Sequence, residues 1–414
     1  MKTSWKSWGV AAAFAVASFG LSGVASAQVK EVVMGFQIDR TGPTQNIGVP
    51  LAVGYHDYVD LVNSKGGIDG VKLRISEVDN EYKVPPAIEG YERQKKDGAV
   101  LISFFGTAST LALIPKTTED KIPGMSPGFG SAASANGKTY PYTFLMAASY
   151  WSQAAGAVKF AKDQLGGNLK GKKIAYLYYD NPAGKEPLPV LEDIAKIEGF
   201  ELKEFAVPPP GLDMTAQALD IAQRFRADFV IAHLFGRAPS VSIKALKGNG
   251  YPLKKVVSFV WGGAEDDILS AGGYAAADGY NTLQFAGVGS DYKVLDEIRA
   301  MYKKAGKEPP KEMASTAYYN RGVFFAALQI EAIRNALKLN GGKQPTSIDV
   351  KNGFEHIKGF TLGGIFPPLE VTPDDHEGGG WVKVFQVKGG KLVGVGDWFH
   401  AYPDVLKKHI AEGK

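Results

Sequence analysis

From residue 30 to residue 261, short apolar runs of strand length alternate with segments of helical periodicity, and the alternation stops once and restarts. Lys30–Gln37 (KEVVMGFQ) reads as a strand ended by the turn Thr41-Gly42-Pro43. In Gly48–Ser64, Leu51, Tyr55, Tyr58 and Val62 fall on one helical stripe, closed by "KGGIDG". Val71–Glu77 and Val100–Phe105 read as strands, with helices over Pro85–Lys96 and Ser109–Lys121. The second run has strands at Lys173–Tyr179, Glu201–Val207, Asp228–Leu234 and Lys255–Trp261, separated by helices at Pro189–Glu198, Asp213–Arg226 and Ser240–Lys247. Strands separated by helices cannot close hairpins, so they pair in parallel with helices on both faces. Two runs predict two α/β lobes. The chain beyond about residue 286 holds one long helix (Thr316–Leu337) and short strands, too few for a third lobe, so it is expected to complete the first two.

The first 27 residues have another logic. Lys2 and Lys6 precede an apolar run that ends at Ala25-Ser26-Ala27. A basic start, an apolar middle and A-x-A predict a secretory signal cleaved after Ala27. The run is broken by Ser and Gly and falls short of the ~20 apolar residues that span a bilayer. The chain contains no cysteine, which excludes disulfides, thiolate catalysis and cysteine-ligated zinc. A net charge of +4 over 414 residues argues against nucleic acid as a partner, because phosphate binding needs clustered Lys and Arg.

"SPGFGSAA" at 126–133 contains Gly128-x-Gly130-x-x-Ala133, one spelling of a dinucleotide-binding turn. Its context does not suit that use. Ile122-Pro123-Gly124 leaves room for only a very short strand before it, Gly137 and Pro141 oppose a long helix after it, and no acid follows about 20 residues on. No nucleophile elbow, P-loop or H-E-x-x-H motif occurs, and none of the six histidines stands at metal-ligand spacing from another. Neither catalysis nor a cofactor or metal is expected. Glu265, Asp266 and Asp267 at a helix start complement the helix dipole without any catalytic role.

What remains is a crevice at the carboxyl ends of the strands. Four loops stand there: Gly106–Thr110, Gly128–Ser131, Phe235-Gly236-Arg237 and Trp261-Gly262-Gly263. Glycines let backbone N–H groups approach a ligand and hydroxyls add donors, a combination suited to a small carboxylate.

"TGPTQNIG" followed by "YVDLVNSKGGIDGVKL" resembles the opening of the branched-chain amino-acid type of periplasmic solute-binding protein, the capture subunit of ABC importers. "FFGTASTLALIP", "IPGMSPG" and "AYYNRGVFFAALQIEAI" are similar to later motifs of that family, so the resemblance runs from about residue 30 to 400. It implies a type I periplasmic binding fold: two Rossmann-like lobes joined by a three-segment hinge. Lobe 1 would take 28–147 plus about 286–359, and lobe 2 would take 148–285 plus about 360–414. It also implies a small-molecule ligand, a permease in the inner membrane as partner, a periplasmic location and action as a monomer. By position in the family pattern, Thr110 keeps a hydroxyl and Gly128 a backbone donor for the ligand's carboxylate, whereas the family's usual threonine is Gly130, with Ser131 beside it.

Where relatives place acids for an amino acid's ammonium, this chain has Trp261 and Tyr150, and the aromatic usual before Gly48 is Ile47. With Phe129, Trp151 and Phe235 the crevice is rich in aromatic and apolar side chains. The expected ligand therefore has a carboxylate and an apolar, aromatic body without an α-ammonium, and Arg237 is a candidate partner for its carboxylate or a polar tail. If Glu265 faces the crevice instead, an ordinary hydrophobic amino acid becomes the expected ligand. A sensor domain of the same fold is a further alternative, since fold does not separate transport from sensing.

Overall fold

The structure, a computed structural model, describes residues 1–4 and 31–413. Most of the expected leader and its cleavage position lie outside the described residues. Among the described residues no helix is long and apolar enough to cross a membrane.

The first run forms β1 (Glu31–Ile38), α1 (Gln45–Ser64), β2 (Lys72–Asp79), α2 (Val84–Lys96), β3 (Ala99–Ser103), α3 (Thr107–Asp120), β4 (Gly124–Met125) and β5 (Thr143–Phe144). These five strands pair in parallel in the order β2-β1-β3-β4-β5. The second run forms α4 (Tyr150–Gln164), β6 (Lys173–Tyr179), α5 (Pro182–Lys185), α6 (Leu188–Glu198), β7 (Glu201–Val207), α7 (Thr215–Leu219), β8 (Phe229–His233), α8 (Ala238–Gly248), β9 (Val256–Ser258), α9 (Glu265–Ser270) and β10 (Asn281–Gln284). The rest comprises α10 (Lys293–Lys304), α11 (Glu312–Ser315), α12 (Ala317–Leu339), α13 (Ser347–Phe354), β11 (Lys358–Phe360), β12 (Leu369–Glu370), β13 (Val382–Lys388), β14 (Lys391–Phe399) and α14 (Pro403–Glu412). The second sheet has the order β14-β13-β10-β9-β8-β6-β7, parallel except where the returning hairpin β13–β14 pairs antiparallel beside β10. The tail thus completes the second sheet with strands and covers the first with helices.

Three expected boundaries differ, each for a local reason. The strand expected through Trp261 ends at Ser258, and Val260–Gly262 coils into a 3-10 turn that lifts Trp261 off the sheet. The helix expected over Asp213–Arg226 starts at Thr215, whose N–H and hydroxyl donate to Asp213 Oδ1, and widens into π-helical turns at Asp220–Phe225. The helix expected from Ser109 begins at Thr107, so Thr110 closes its first turn.

α12 lies on α1 at close range because two glycines face each other's backbone. A Cβ on Gly322 would sit 1.9 Å from the Leu51 carbonyl oxygen, and one on Gly54 would sit 2.1 Å from that of Tyr319. Gly322→Ala must push the helices apart, and overpacking of this kind costs about 1–3 kcal/mol. The expected reading is a lower urea midpoint; an unchanged midpoint would show that the helices separate freely.

The chain passes between the sheets where backbone groups tie strangers together. Leu145 and Met146 N–H both donate to the His376 carbonyl, and Ser149 N–H donates to Glu377 Oε1 at 2.6 Å. Gly287 N–H donates to the Ile365 carbonyl at 2.6 Å. We propose the three crossings at about 145–149, 285–287 and 371–381. The last lies later than the 359/360 boundary expected from the sequence, because Phe366 still packs on Phe324 of α12, with ring centroids 4.6 Å apart.

Candidate functional site: an aromatic cleft between the two sheets

In each sheet the strand order reverses at the strand next to one edge, β1 in the first and β6 in the second, and the loops at the carboxyl ends of the strands meet across a crevice. From the first sheet come the loop after β1, pinned by Asp39 accepting from Thr44 N–H and hydroxyl at 2.8 and 2.6 Å, and the loop after β2. In the latter, Glu81 and Tyr82 both adopt the left-handed region, φ +51° and +58°. This is uncommon for such residues and persists where the surroundings compel it. Asn80 does so: its Oδ1 accepts from Tyr82 N–H at 3.0 Å and its amide donates to the Phe105 carbonyl at 2.8 Å. From the second sheet come the loops after β6, β8 and β9.

The lobes touch across the crevice. Asn46 Nδ2 donates to the Gly236 carbonyl at 3.1 Å, and two aromatic pairs bridge the gap. Tyr82 faces Phe235 at 5.9 Å, and Phe129 meets Trp261 edge-on at 5.7 Å. Behind these pairs lies an inner chamber of about 30 Å³, lined by Thr44, Ile47, Tyr82, Phe105, Gly106, Thr107 and Phe129 from one side and by Tyr150, Phe235 and Trp261 from the other. No charged side chain is among the described residues that line it. Outside it lies a chamber of about 1150 Å³, which shares Thr44, Tyr82 and Phe235 with the inner one and carries Arg237, Asp266, Lys311 and Glu312 on its wall.

Of the residues singled out from sequence, Ile47, Phe129, Tyr150, Phe235 and Trp261 line the inner chamber, and Phe235 and Arg237 line the outer one. Thr110 lines neither: in the first turn of α3 its hydroxyl donates to the Gly106 carbonyl at 3.0 Å, and it is Thr107 that reaches the chamber. Gly128, Gly130 and Ser131 also stand back from it. Gly128 N–H donates to Leu145 O at 3.2 Å, Phe129 N–H to Ser126 O at 3.3 Å, and Ser131 O accepts from Ser134. The glycines serve the turn itself. Gly130 has φ +98°, and a Cβ there would lie 2.4 Å from Thr110 Cγ2.

The carboxyl group that this turn meets belongs to the chain. Ala132 N–H donates to Glu186 Oε1 at 2.5 Å, reaching from the first lobe to the second. Glu186 as a residue is half-buried, but its carboxyl is enclosed, and Oε2 has no hydrogen-bond partner. Burial pushes this acid up to about 8, partly offset by the Ala132 bond. Trp151 is packed away from the cleft, its indole N–H donating to the Glu186 carbonyl at 2.9 Å. Glu265 lines neither chamber: its Oε2 accepts from Ala317 N–H at 2.7 Å, at the start of α12, and burial raises its pKa.

Two side chains of the site, Tyr82 and Arg321, escaped sequence reading. Tyr82 stands at the carboxyl end of β2, a position the strand-end rule covers, but its aim depends on two left-handed residues. Burial, then Tyr82 and Glu186, push the Tyr150 phenol well above its ordinary value, with the Thr107 hydroxyl opposing. Behind Trp261 lies Arg321, fully buried, its guanidinium 4.8 Å from the indole and 4.9 Å from Tyr318. Its Nη2 donates to Val260 O at 2.7 Å and to Gln284 Oε1 at 2.5 Å. Burial pushes this arginine down to about 10.

Residues 31–391 match the family described as periplasmic binding protein. A Leu/Ile/Val-binding protein homolog of Brucella abortus is 26% identical over 356 residues, covering 80% of this chain and 87% of that protein. The crystal structure of an ABC transporter permease from the Pseudomonas fluorescens group is 32% identical with a TM-score of 0.83, covering 93% of this chain and 95% of the other. An R. palustris solute-binding protein solved in complex with benzoate has a TM-score of 0.70 at 18% identity, covering 88% of this chain and 96% of the other.

Proposed function

The chain belongs to the periplasmic binding protein family, and from that premise we propose that the solute it captures between its lobes is an aromatic carboxylic acid. It is the substrate-binding protein of an ABC transporter, and proteins of this kind bind small ligands and work with a permease. In the reading proposed here it acts as a monomer without catalysis, in the periplasm after loss of its leader, and hands the solute to a permease in the inner membrane.

One observation carries the choice of solute: two aromatic pairs face each other from opposite lobes in a cleft whose inner wall has no acid among the described residues. Hinge opening parts Tyr82 from Phe235 and Phe129 from Trp261, and a flat ring entering between them gains roughly 0.5–1.5 kcal/mol per aromatic contact beyond its buried area. An α-ammonium in the same place would lack an acid, and an unpaired buried charge costs several kcal/mol. A second reading, a branched-chain or other hydrophobic amino acid as solute, is favoured by the Brucella relative's name and by Thr107, a hydroxyl without a well-formed bond at the chamber wall.

A thermal-shift screen of the purified protein against amino acids, benzoates and phenylpropanoids tests the choice. A ligand at 100 times its Kd adds about 2.7 kcal/mol of stability. The expected result is a rise in Tm with aromatic acids and none with leucine or valine; the reverse pattern would establish the second reading.

A further inference from the structure

We infer that Arg321 is a positioning residue: from behind Trp261 it fixes the angle of the indole that walls the inner chamber, and with it the cleft's selectivity for a flat ring. The selectivity rests on the reading of the cleft as an aromatic-acid site; the positioning does not.

Trp261 has little of its own to hold it. It stands in a three-residue 3-10 turn just beyond the end of β9, and its indole N–H is buried without a partner. Its angle is therefore set by the turn beneath it and by the surface on which the ring lies.

That turn is held by side chains. Val260 O accepts from Arg321 Nη2 at 2.7 Å, Trp261 O from the Tyr318 hydroxyl at 3.0 Å, Gly262 O from the Tyr280 hydroxyl at 3.1 Å and Gly263 O from Gln284 Nε2 at 2.9 Å. Arg321 acts at both ends of this stretch. The Nη2 that holds Val260 also donates to Gln284 Oε1 at 2.5 Å, and so orients the amide whose nitrogen holds Gly263. The same guanidinium is part of the surface under the ring. Its carbon lies 4.8 Å from the centre of the indole and 4.9 Å from that of Tyr318, and the two rings are within 13° of parallel.

Packing alone does not call for an arginine here. The side chain is fully buried, and its Nε and Nη1 have no partner. The acids that act on it from a distance, Asp267 and Glu265, accept instead from Ala264 N–H at 3.0 Å and Ala317 N–H at 2.7 Å. A buried charge without a bonded acid works against stability, and an apolar side chain of the same volume often packs as well or better. What an apolar side chain cannot supply is the fork that bonds Val260 and Gln284 together, or the cation against the indole.

Isothermal titration with 3-phenylpropanoate and with leucine tests this in a double-mutant cycle of wild type, Arg321→Lys, Trp261→Phe and the two combined. Lysine keeps the charge but not the planar fork. Arg321→Lys is expected to weaken 3-phenylpropanoate binding about tenfold in wild type and no more than about twofold beside Trp261→Phe, because its effect passes through the indole. A general loss of structure would weaken binding equally in both backgrounds. The emission that wild type has in excess of Trp261→Phe, measured without solute, reports the same indole and should move to longer wavelength in Arg321→Lys. Equal losses in the two backgrounds, no loss in wild type, or an unshifted indole emission each overturn the inference. If leucine binds and 3-phenylpropanoate does not, the aromatic-acid reading fails, and the same cycle run on leucine still decides the role of Arg321.

Discussion

Trp261→Ala is expected to weaken solute binding at least about 30-fold, a loss of roughly 2 kcal/mol or more, and to destabilise the protein by about 3–5 kcal/mol. The indole is 4% exposed, yet it forms wall for the inner chamber, so it belongs to both core and cleft. On its cleft side it meets Phe129 of the other lobe, and on its buried side it covers Phe285 and the Arg321 guanidinium. Truncation therefore removes one face of the ring-binding slot and uncovers a cation that has lost an aromatic partner. Trp261→Phe separates the two roles. It restores most of the packing and should recover most of the stability, while affinity recovers only in part. Urea unfolding and calorimetric titration of the same two variants provide the comparison. Full affinity in Trp261→Ala would place the side chain in the core alone.

A second large effect concerns pH. In the folded protein the Glu186 carboxyl is pushed up to about 8 from an ordinary 4.5. Between those two values the folded chain holds a proton that the unfolded chain has released. The stability linked to this group is therefore fully present below about pH 4.5 and is lost as pH rises towards 8, a change on the order of 5 kcal/mol. Asp267, pushed up to about 7 by burial, adds to the same slope. His233, pushed down to about 3, acts in the opposite direction on the acid side: its contribution is present above its unfolded value near 6.5 and is lost as pH falls towards 3. Glu186→Gln keeps an acceptor for Ala132 N–H but cannot ionise. Its stability should fall much less between pH 5 and 8 than that of the wild type, whatever its absolute value. Equal slopes from urea titrations across that range would show that Glu186 is not the group responsible.

Much of the fold was legible because it depends on local periodicity. The two runs of alternating strand and helix are present where the apolar spacing placed them, and the tail adds β13 and β14 to the second sheet and packs α12 on α1. Parts of the cleft were legible for the same reason. Ile47, Phe129, Tyr150, Phe235 and Trp261 stand at strand ends or helix starts, and the α/β topology brings such positions together. The hydrogen-bond donors were a different matter. Thr110 carries the right group in the right stretch, but α3 starts two residues before Ser109, and its hydroxyl turns back onto its own helix. Tyr82 went unnoticed because the left-handed backbone that aims it is set by Asn80 bonding to Phe105, 25 residues away.

"SPGFGSAA" shows where the division falls. The sequence around it argued against a nucleotide, because a strand before the glycines and a helix after them are local requirements that the neighbouring residues do not meet. It was not enough to say which carboxyl group the turn would meet. That group is Glu186, which arrives from the other lobe 54 residues later. Whether a chain makes strands, helices and tight turns is decided over a few residues by backbone sterics and apolar spacing. Whether a donor stays free for a ligand is decided by which group the fold brings against it, and that depends on how two distant halves close on each other.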